Sequence, residues 1–384
     1  MSIIYVDNNA TTRVAPEVID AMLPFLKDMW ANPSSMHTFG GQVAKYIDRA
    51  REQVAALIGA ERPSEIIFTS CGTESDNTAI RSALLASPQK RHIVTTKVEH
   101  PAVLNLCKEL EKEGYHVTFL SVDGKGRLDL EEFKASLNDD TAVVSVMWAN
   151  NETGVIFPIE EIADECAKRN IPLHVDAVQV VGKIPIDLSK TPITYLALSG
   201  HKLHAPKGVG ALYVRRGTKF HPWMIGGHQE HGRRGGTENV ASLVGLGVAC
   251  ELARVHMETE KTRIAELRNR LEKGILESVT RSFVNGDPNV RLPNTTSISF
   301  EAIEGEAILL LMNEYGICAS SGSACTSGSL LPSHVLVAMG IPFTRAHGSI
   351  RFSLSRYNTQ EEIDFIIEKM PGIVSQLRSL SPVL

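Results

Sequence analysis

Thr194-Tyr195-Leu196-Ala197-Leu198-Ser199-Gly200-His201-Lys202 decides the reading of this chain. Thr194 to Leu198 reads as a buried strand. Small and polar residues then break it, and a lysine stands at its end. Desolvation at such a position lowers an amine's pKa and suits Lys202 to a Schiff base. A surface lysine that ends a strand is the ordinary alternative. Asp176, at the end of an earlier strand, and Cys325, in a loop of small residues, weigh against that alternative.

Working outward, strands and helices alternate from about residue 70. Strands are expected at Glu65–Thr69, His92–Thr96, Val117–Leu120, Ala142–Met147 and Pro172–Val175. Helices are expected at Asn77–Leu85, Ala102–Glu113 and Ile159–Arg169. Apolar strands separated by helices predict a mostly parallel sheet covered on both faces, the α/β class. Ala241–Val279 is charged and helical in period, and reads as a connecting stretch. The pattern then restarts with strands at Thr296–Phe300, Gly316–Ala319 and Ser349–Leu354, and helices at Glu304–Asn313 and Gln360–Ile366. This predicts a second, smaller α/β unit. A chain of 384 residues is too long for one compact core.

Composition excludes several classes. Hydrophobic residues make up 43% and charged residues 22%, an ordinary globular balance. A net charge of -5 gives no support to nucleic-acid binding, and Arg215-Arg216 and Arg233-Arg234 are too short for a basic footprint. No secretion signal precedes Ile3-Ile4-Tyr5-Val6, and no apolar run approaches the roughly 20 residues of a membrane span. Six cysteines without CxxC pairing fit a reduced, cytoplasmic protein rather than a disulfide or zinc framework.

Ligands of open α/β sheets bind beyond the carboxyl ends of the strands, and several polar clusters fall there. Ser70-Cys71-Gly72-Thr73-Glu74-Ser75 opens a helix and could cradle a phosphate or form a plain N-cap. His100-Pro101 could start a helix or place a ring over a flat cofactor. Asp176, followed by Gln179, suits a protonated pyridine nitrogen or a helix cap. Asn150-Asn151-Glu152-Thr153-Gly154 could touch a cofactor oxygen or only turn the chain. Arg351, inside a buried strand, needs an anion, either a substrate carboxylate or a structural partner. Cys325 lies in Ser320 to Ser329, a run too small and polar to pack a core, which suits a travelling thiol. Together these are the parts needed to hold pyridoxal phosphate.

The motifs Tyr5 to Thr12, Phe68 to Asn77, Val98-Glu99-His100, Asn150 to Gly154, His174 to Ala177, Ser199 to Lys202 and Ser320 to Ser329 resemble those of cysteine desulfurases, essentially end to end. Ser145 to Asn151 and His201 to Gly208 resemble the nitrogen-fixation (NifS-like) type within the class-V aminotransferase family. The resemblance implies a fold-type I pyridoxal-phosphate homodimer with a seven-stranded, mostly parallel large-domain sheet. The large domain would span residues 15–250, and the small domain 1–14 and 251–384, with the mobile cysteine loop. Lys202 would carry the cofactor, while Gly72, Thr73, Ser199 and His201 would hold its phosphate. Thr237, which composition alone leaves in a solvated basic turn, would reach the neighbouring subunit's phosphate. His100 would stack on the ring and act as acid or base. Asp176 would pair with the ring nitrogen and Gln179 with the phenolate oxygen. Asn151 would contact cofactor and substrate, and Arg351 the substrate carboxylate.

The implied reaction converts L-cysteine to L-alanine, the Cys325 thiolate taking the sulfur as a persulfide. An iron–sulfur scaffold would receive it, with nitrogenase as the favoured context and general iron–sulfur assembly or thiolation as the alternative, and with Cys325 only transiently on a shared cluster. The chain departs from its relatives in three places. Leu331 stands where relatives usually carry an acid, Ala31 where they carry glycine, and the chain stops at Leu384 without the scaffold-binding tail of housekeeping relatives. A selenocysteine lyase, another pyridoxal enzyme or a non-catalytic docking protein would share the fold. Cys325 favours the desulfurase.

Overall fold

The structure is a computed structural model and describes residues 3–321 and 332–380. The chain enters through β1 (Ile4–Tyr5), α1 (Pro16–Lys27) and α2 (Thr38–Ile58). Pro16 suits the first helical position, where its missing N–H costs nothing. Gly59 closes α2 at φ 64°, where a Cβ would meet the Asp187 Cα at 2.8 Å.

The alternating region follows as β2 (Ile66–Thr69), α3 (Gly72–Ala86), β3 (His92–Thr96), α4 (Pro101–Lys112), β4 (His116–Leu120), α5 (Leu130–Ser136), β5 (Thr141–Met147), α6 (Ile159–Lys168), β6 (Leu173–Asp176), β7 (Tyr195–Ser199) and β8 (Gly210–Val214). These strands form one seven-stranded sheet in the order β2-β8-β7-β6-β5-β3-β4. Only β8 runs antiparallel to its neighbours, so the expected mostly parallel sheet is present. Strand β8 is not among the expected strands. Too few residues separate it from β7 for a crossover helix, so it returns antiparallel. Every residue of β5 is buried, because helices cover both faces.

The expected connecting stretch is one long helical path: α7 (Val240–Thr259), a π turn (Glu260–Ile264) and α8 (Ala265–Ser278). Leu243, Leu246, Cys250 and Ala253 pack into the first core, and Ile264, Leu267, Leu271 and Ile275 into a second. Contrary to expectation, Val240–Ser278 is long and apolar enough to cross a bilayer by composition. Just over half of its most apolar stretch, 56%, is buried in the protein, as in the core helix of a globular unit.

The second core lies under β9 (Ser282–Asn285), β10 (Thr295–Phe300), α9 (Gly305–Glu314), β11 (Ile317–Cys318), α10 (His334–Ala338), α11 (Phe343–Ala346), β12 (Ser349–Ser353) and α12 (Gln360–Leu380). Its antiparallel sheet has the order β12-β10-β9, and β1 pairs with β11. Helix α12 runs beyond the expected Ile366 because Met370, Ile373 and Val374 continue its buried face. Val335 and Leu336 of α10 pack on the first core, so the chain returns there late. The crossing segment Asp7–Thr12 bridges the two units: Asn8 bonds Ser353, and Thr12 bonds the His201 carbonyl.

Candidate active site

The carboxyl ends of β2, β3, β5, β6 and β7 open into one cavity of about 680 Å³, counting its mouth. Nine of the sequence-derived site residues line it together: Gly72, Thr73, His100, Asn151, Asp176, Gln179, Ser199, His201 and Lys202. Ala10, Cys71, Asp76, Met147, Ala149 and Val178 complete the wall. Short loops leaving parallel strands on one side of a sheet make such a crevice.

Lys202 ends the 3₁₀ turn that follows β7. Its Nζ donates to the main-chain oxygen of Ala10 at 2.8 Å and to that of Asn9. Gln179 Nε2 donates to the same Asn9 oxygen at 3.0 Å. The Asp7–Thr12 segment therefore forms the roof over the lysine. The roof belongs to the first dozen residues, and the cavity floor to the sheet.

Asp176, at the end of β6, accepts from the Val178 amide at 2.9 Å. Burial pushes its carboxyl up, while His100 and Lys202 oppose that shift. Behind it, burial and the nearby Asp176 and Glu99 push Asp76 well up. His174 is pushed down to about 3 by burial. Its Nε2 lies 3.2 Å from Asp76 Oδ1 without the alignment of a hydrogen bond. With the His174 ring held neutral, this is a polar contact rather than an ion pair. Glu99 is raised to about 8, chiefly by burial. A positive charge in the cavity would add to the pull of His100 and Lys202 toward the ionised form of Asp176.

His100 serves both of its sequence readings. Its Nδ1 accepts from the Ala102 amide at 3.2 Å, capping α4, while its ring lines the cavity. Burial holds its pKa down. His201 accepts or donates at 3.1 Å to Thr11, and burial lowers it to about 4.

Part of the cavity wall is suited to an anion. The first-turn amides of α3 have no helical acceptor, and the helix dipole favours negative charge there. A Cβ on Gly72 would come within 2.7 Å of Val178 Cγ2. Ser199 Oγ and Gln179 Oε1 are buried with no hydrogen-bond partner among the described residues. Such orphaned groups call for an acceptor or donor brought by a ligand.

Arg351 lies just outside this wall and reaches it through Asn151, whose carbonyl accepts from Nη1 at 2.9 Å. Its Nη2 donates to Asp7 at 2.8 Å, and its Nε is buried without a hydrogen-bond partner among the described residues. Thr237 does not join the cavity; it lines a separate one with Ser70, Arg234 and Glu238. The basic turn around it is not simply solvated. Arg234 forks onto Glu74 at 2.9 and 3.1 Å, and Arg233 donates to the Ser64 carbonyl. Cys325 lies outside the described residues. Of the other cysteines, burial pushes Cys107, Cys166 and Cys250 up to about 12, whereas Cys71 and Cys318 are half-buried. Among the described residues, no three His, Cys, Asp or Glu side chains gather as a metal site requires.

Spacing missed Asn9, Ala10 and Asp76. The run Asn8-Asn9-Ala10-Thr11-Thr12, too small and polar for a core, was the available signal for the first two. Asp76 sits in the first turns of α3, where a solvated acid would look the same.

Residues 4–366 match the family model described as aminotransferase class-V, and the chain belongs to that family. It is 64% identical over 382 residues to the cysteine desulfurase of Trichormus azollae, covering all of this chain and 95% of that one. It is 62% identical to the cysteine desulfurase NifS of Azotobacter vinelandii, again over 382 residues, with all of this chain and 95% of that one covered. A solved structure described as a NifS-like protein superposes with a TM-score of 0.92 at 40% identity, covering 98% of this chain and all of the other. Within the class-V family the chain groups with the cysteine desulfurases, as its motifs led one to expect.

Proposed function

We propose that this cavity holds pyridoxal phosphate and that a homodimer of this chain draws sulfur from L-cysteine there. The sulfur would rest as a persulfide on Cys325 and pass to an iron–sulfur scaffold, with nitrogenase assembly as the favoured setting. The observation that carries the reading is the joint presence of Lys202 and Asp176 on one cavity wall, at the ends of the adjacent strands β7 and β6.

The residues present fit that cofactor. Lys202 supplies the amine for a Schiff base, and Asp176 a carboxylate that a protonated ring nitrogen would stabilise against burial. Gly72, Thr73 and the orphaned Ser199 hydroxyl would hold the phosphate, with His201 beside them and Thr237 reaching across from a second copy. Gln179 and His100 would flank the ring. Pyridoxal phosphate, when bound, supplies an electron sink for bonds at the substrate's Cα and Cβ.

The chain's own groups do the rest. Arg351 and Asn151 orient the substrate carboxylate. Lys202 Nζ and His100 Nε2 hold or move protons above the cavity floor. The Cys325 thiolate forms an S–S bond with the substrate sulfur as the Cβ–S bond breaks. The Cβ–S electron pair passes to Cβ, which takes a proton from Lys202 Nζ or His100 Nε2 and leaves L-alanine.

Lys202→Ala tests the assignment. With pyridoxal phosphate added, it should lose its colour on gel filtration, because no covalent link remains. Alanine formation from L-cysteine should fall at least about a thousandfold. Rapid alanine production by the variant would contradict the reading.

A further inference from the structure

We infer that Asp7 is a resident counter-ion for Arg351, standing in for the substrate carboxylate until substrate arrives. The inference rests on the proposed placement of that carboxylate at Arg351.

The guanidinium is a buried cation, its side chain only 3% exposed. A buried charge without a partner is strongly destabilising, so the substrate-free protein needs an anion here. Asp7 provides it, with Oδ1 at 2.8 Å from Nη2. The other hydrogen bonds of Arg351 among the described residues are to the main chain, and the buried Glu152 adds a weaker electrostatic attraction. Nη1 donates to the Asn151 carbonyl at 2.9 Å, and the Arg351 amide donates to the Ser320 carbonyl at 2.7 Å. Nε has no hydrogen-bond partner among the described residues, so they use the fork only in part.

The main chain of Asp7 is equally fixed. Its carbonyl accepts from the Tyr5 hydroxyl at 3.1 Å and the Ala10 amide at 3.0 Å, and the segment pairs with Ser353. Only the Asp7 side chain, at 18% exposure, is placed to yield.

A carboxylate docking on Nε and Nη2 would share one cation with Asp7 or displace it. Either way, one carboxylate replaces another and the net electrostatic gain is small. Asp7 thereby weakens substrate and product binding alike, and eases release of the product carboxylate. It is a positioning and affinity-setting residue, one that touches the substrate's anchor.

The test is the affinity of the holoenzyme for L-alanine, read from the cofactor's absorbance, in wild type and Asp7→Asn. Asparagine keeps an acceptor toward Nη2 and removes the charge. The dissociation constant should fall about tenfold, and the KM for L-cysteine with it. An unchanged or larger dissociation constant would mean that the pair is merely structural, and would overturn the proposal.

Should Asp7→Asn not fold, wild-type protein carries the test through L-alanine against ethylamine, which lacks the carboxylate. If one carboxylate only replaces another, the two affinities lie within about tenfold; a wider gap overturns the proposal. No alanine from L-cysteine with wild type would overturn the desulfurase reading itself, and this inference with it. Normal wild-type turnover with unmoved Asp7→Asn affinity contradicts only the role of Asp7.

Discussion

Glu99 accepts a hydrogen bond from the Met147 amide at 3.1 Å, with none of its surface exposed. It joins the ends of β3 and β5 directly behind the cavity. Its Oε1 also accepts from the Thr96 hydroxyl at 2.7 Å, and its Oε2 has no partner among the described residues. Burial raises this carboxyl to about 8, so it keeps its proton at neutral pH. Glu99 therefore adds no charge beside Asp76 and Asp176, whose own carboxyls burial also pushes up.

This has a consequence for stability against pH. An unfolded glutamate ionises near pH 4.3, whereas the folded one holds its proton to about 8. Between those values the unfolded state binds fewer protons, so unfolding becomes easier as pH rises. Glu99→Gln mimics the protonated side chain and removes this slope. From pH 6 to pH 8, wild type should lose about 2 kcal/mol more unfolding free energy than the variant. Denaturant titrations at both pH values check this, and parallel slopes would contradict it.

Gly72 tests the anion cradle. Alanine there would drive a Cβ to 2.7 Å from Val178 Cγ2 and 3.6 Å from Ser199 Cβ. Gly72→Ala should weaken pyridoxal phosphate binding at least about tenfold, by crowding a first-turn amide away from the phosphate. Removing the clashing methyl in Gly72→Ala/Val178→Ala should recover part of the affinity. Titration of the apoprotein with the cofactor measures both, and undiminished binding by the single variant would contradict the cradle.

Much of this site is legible in the sequence because it is local. Lys202, Asp176 and His100 each end or follow a buried strand, where an unexplained polar residue stands out against apolar neighbours. The sheet is legible for the same reason, through runs such as Thr141 to Met147. Contacts made across the chain are not. Lys202 meets Ala10 from 192 positions away, Arg351 meets Asp7 from 344, and Arg234 meets Glu74 from 160. No periodicity encodes those pairings. Helix α2 keeps helical spacing at Val43, Ile47, Ala50 and Val54, but it lies before the strand–helix alternation begins. Asp76 escaped because burial alone distinguishes it from a solvated helix acid.

The central claim is that sulfur leaves L-cysteine for the thiol of Cys325. The most direct measurement follows alanine and protein-bound persulfide formed from L-cysteine by wild type beside Cys325→Ala, each loaded with pyridoxal phosphate. Wild type should form alanine, with persulfide mapped to Cys325. The variant should keep the yellow colour, because the thiol acts after the cofactor is bound, and should form neither product. Alanine at the wild-type rate from Cys325→Ala would mean that sulfide is released directly, and would contradict the account.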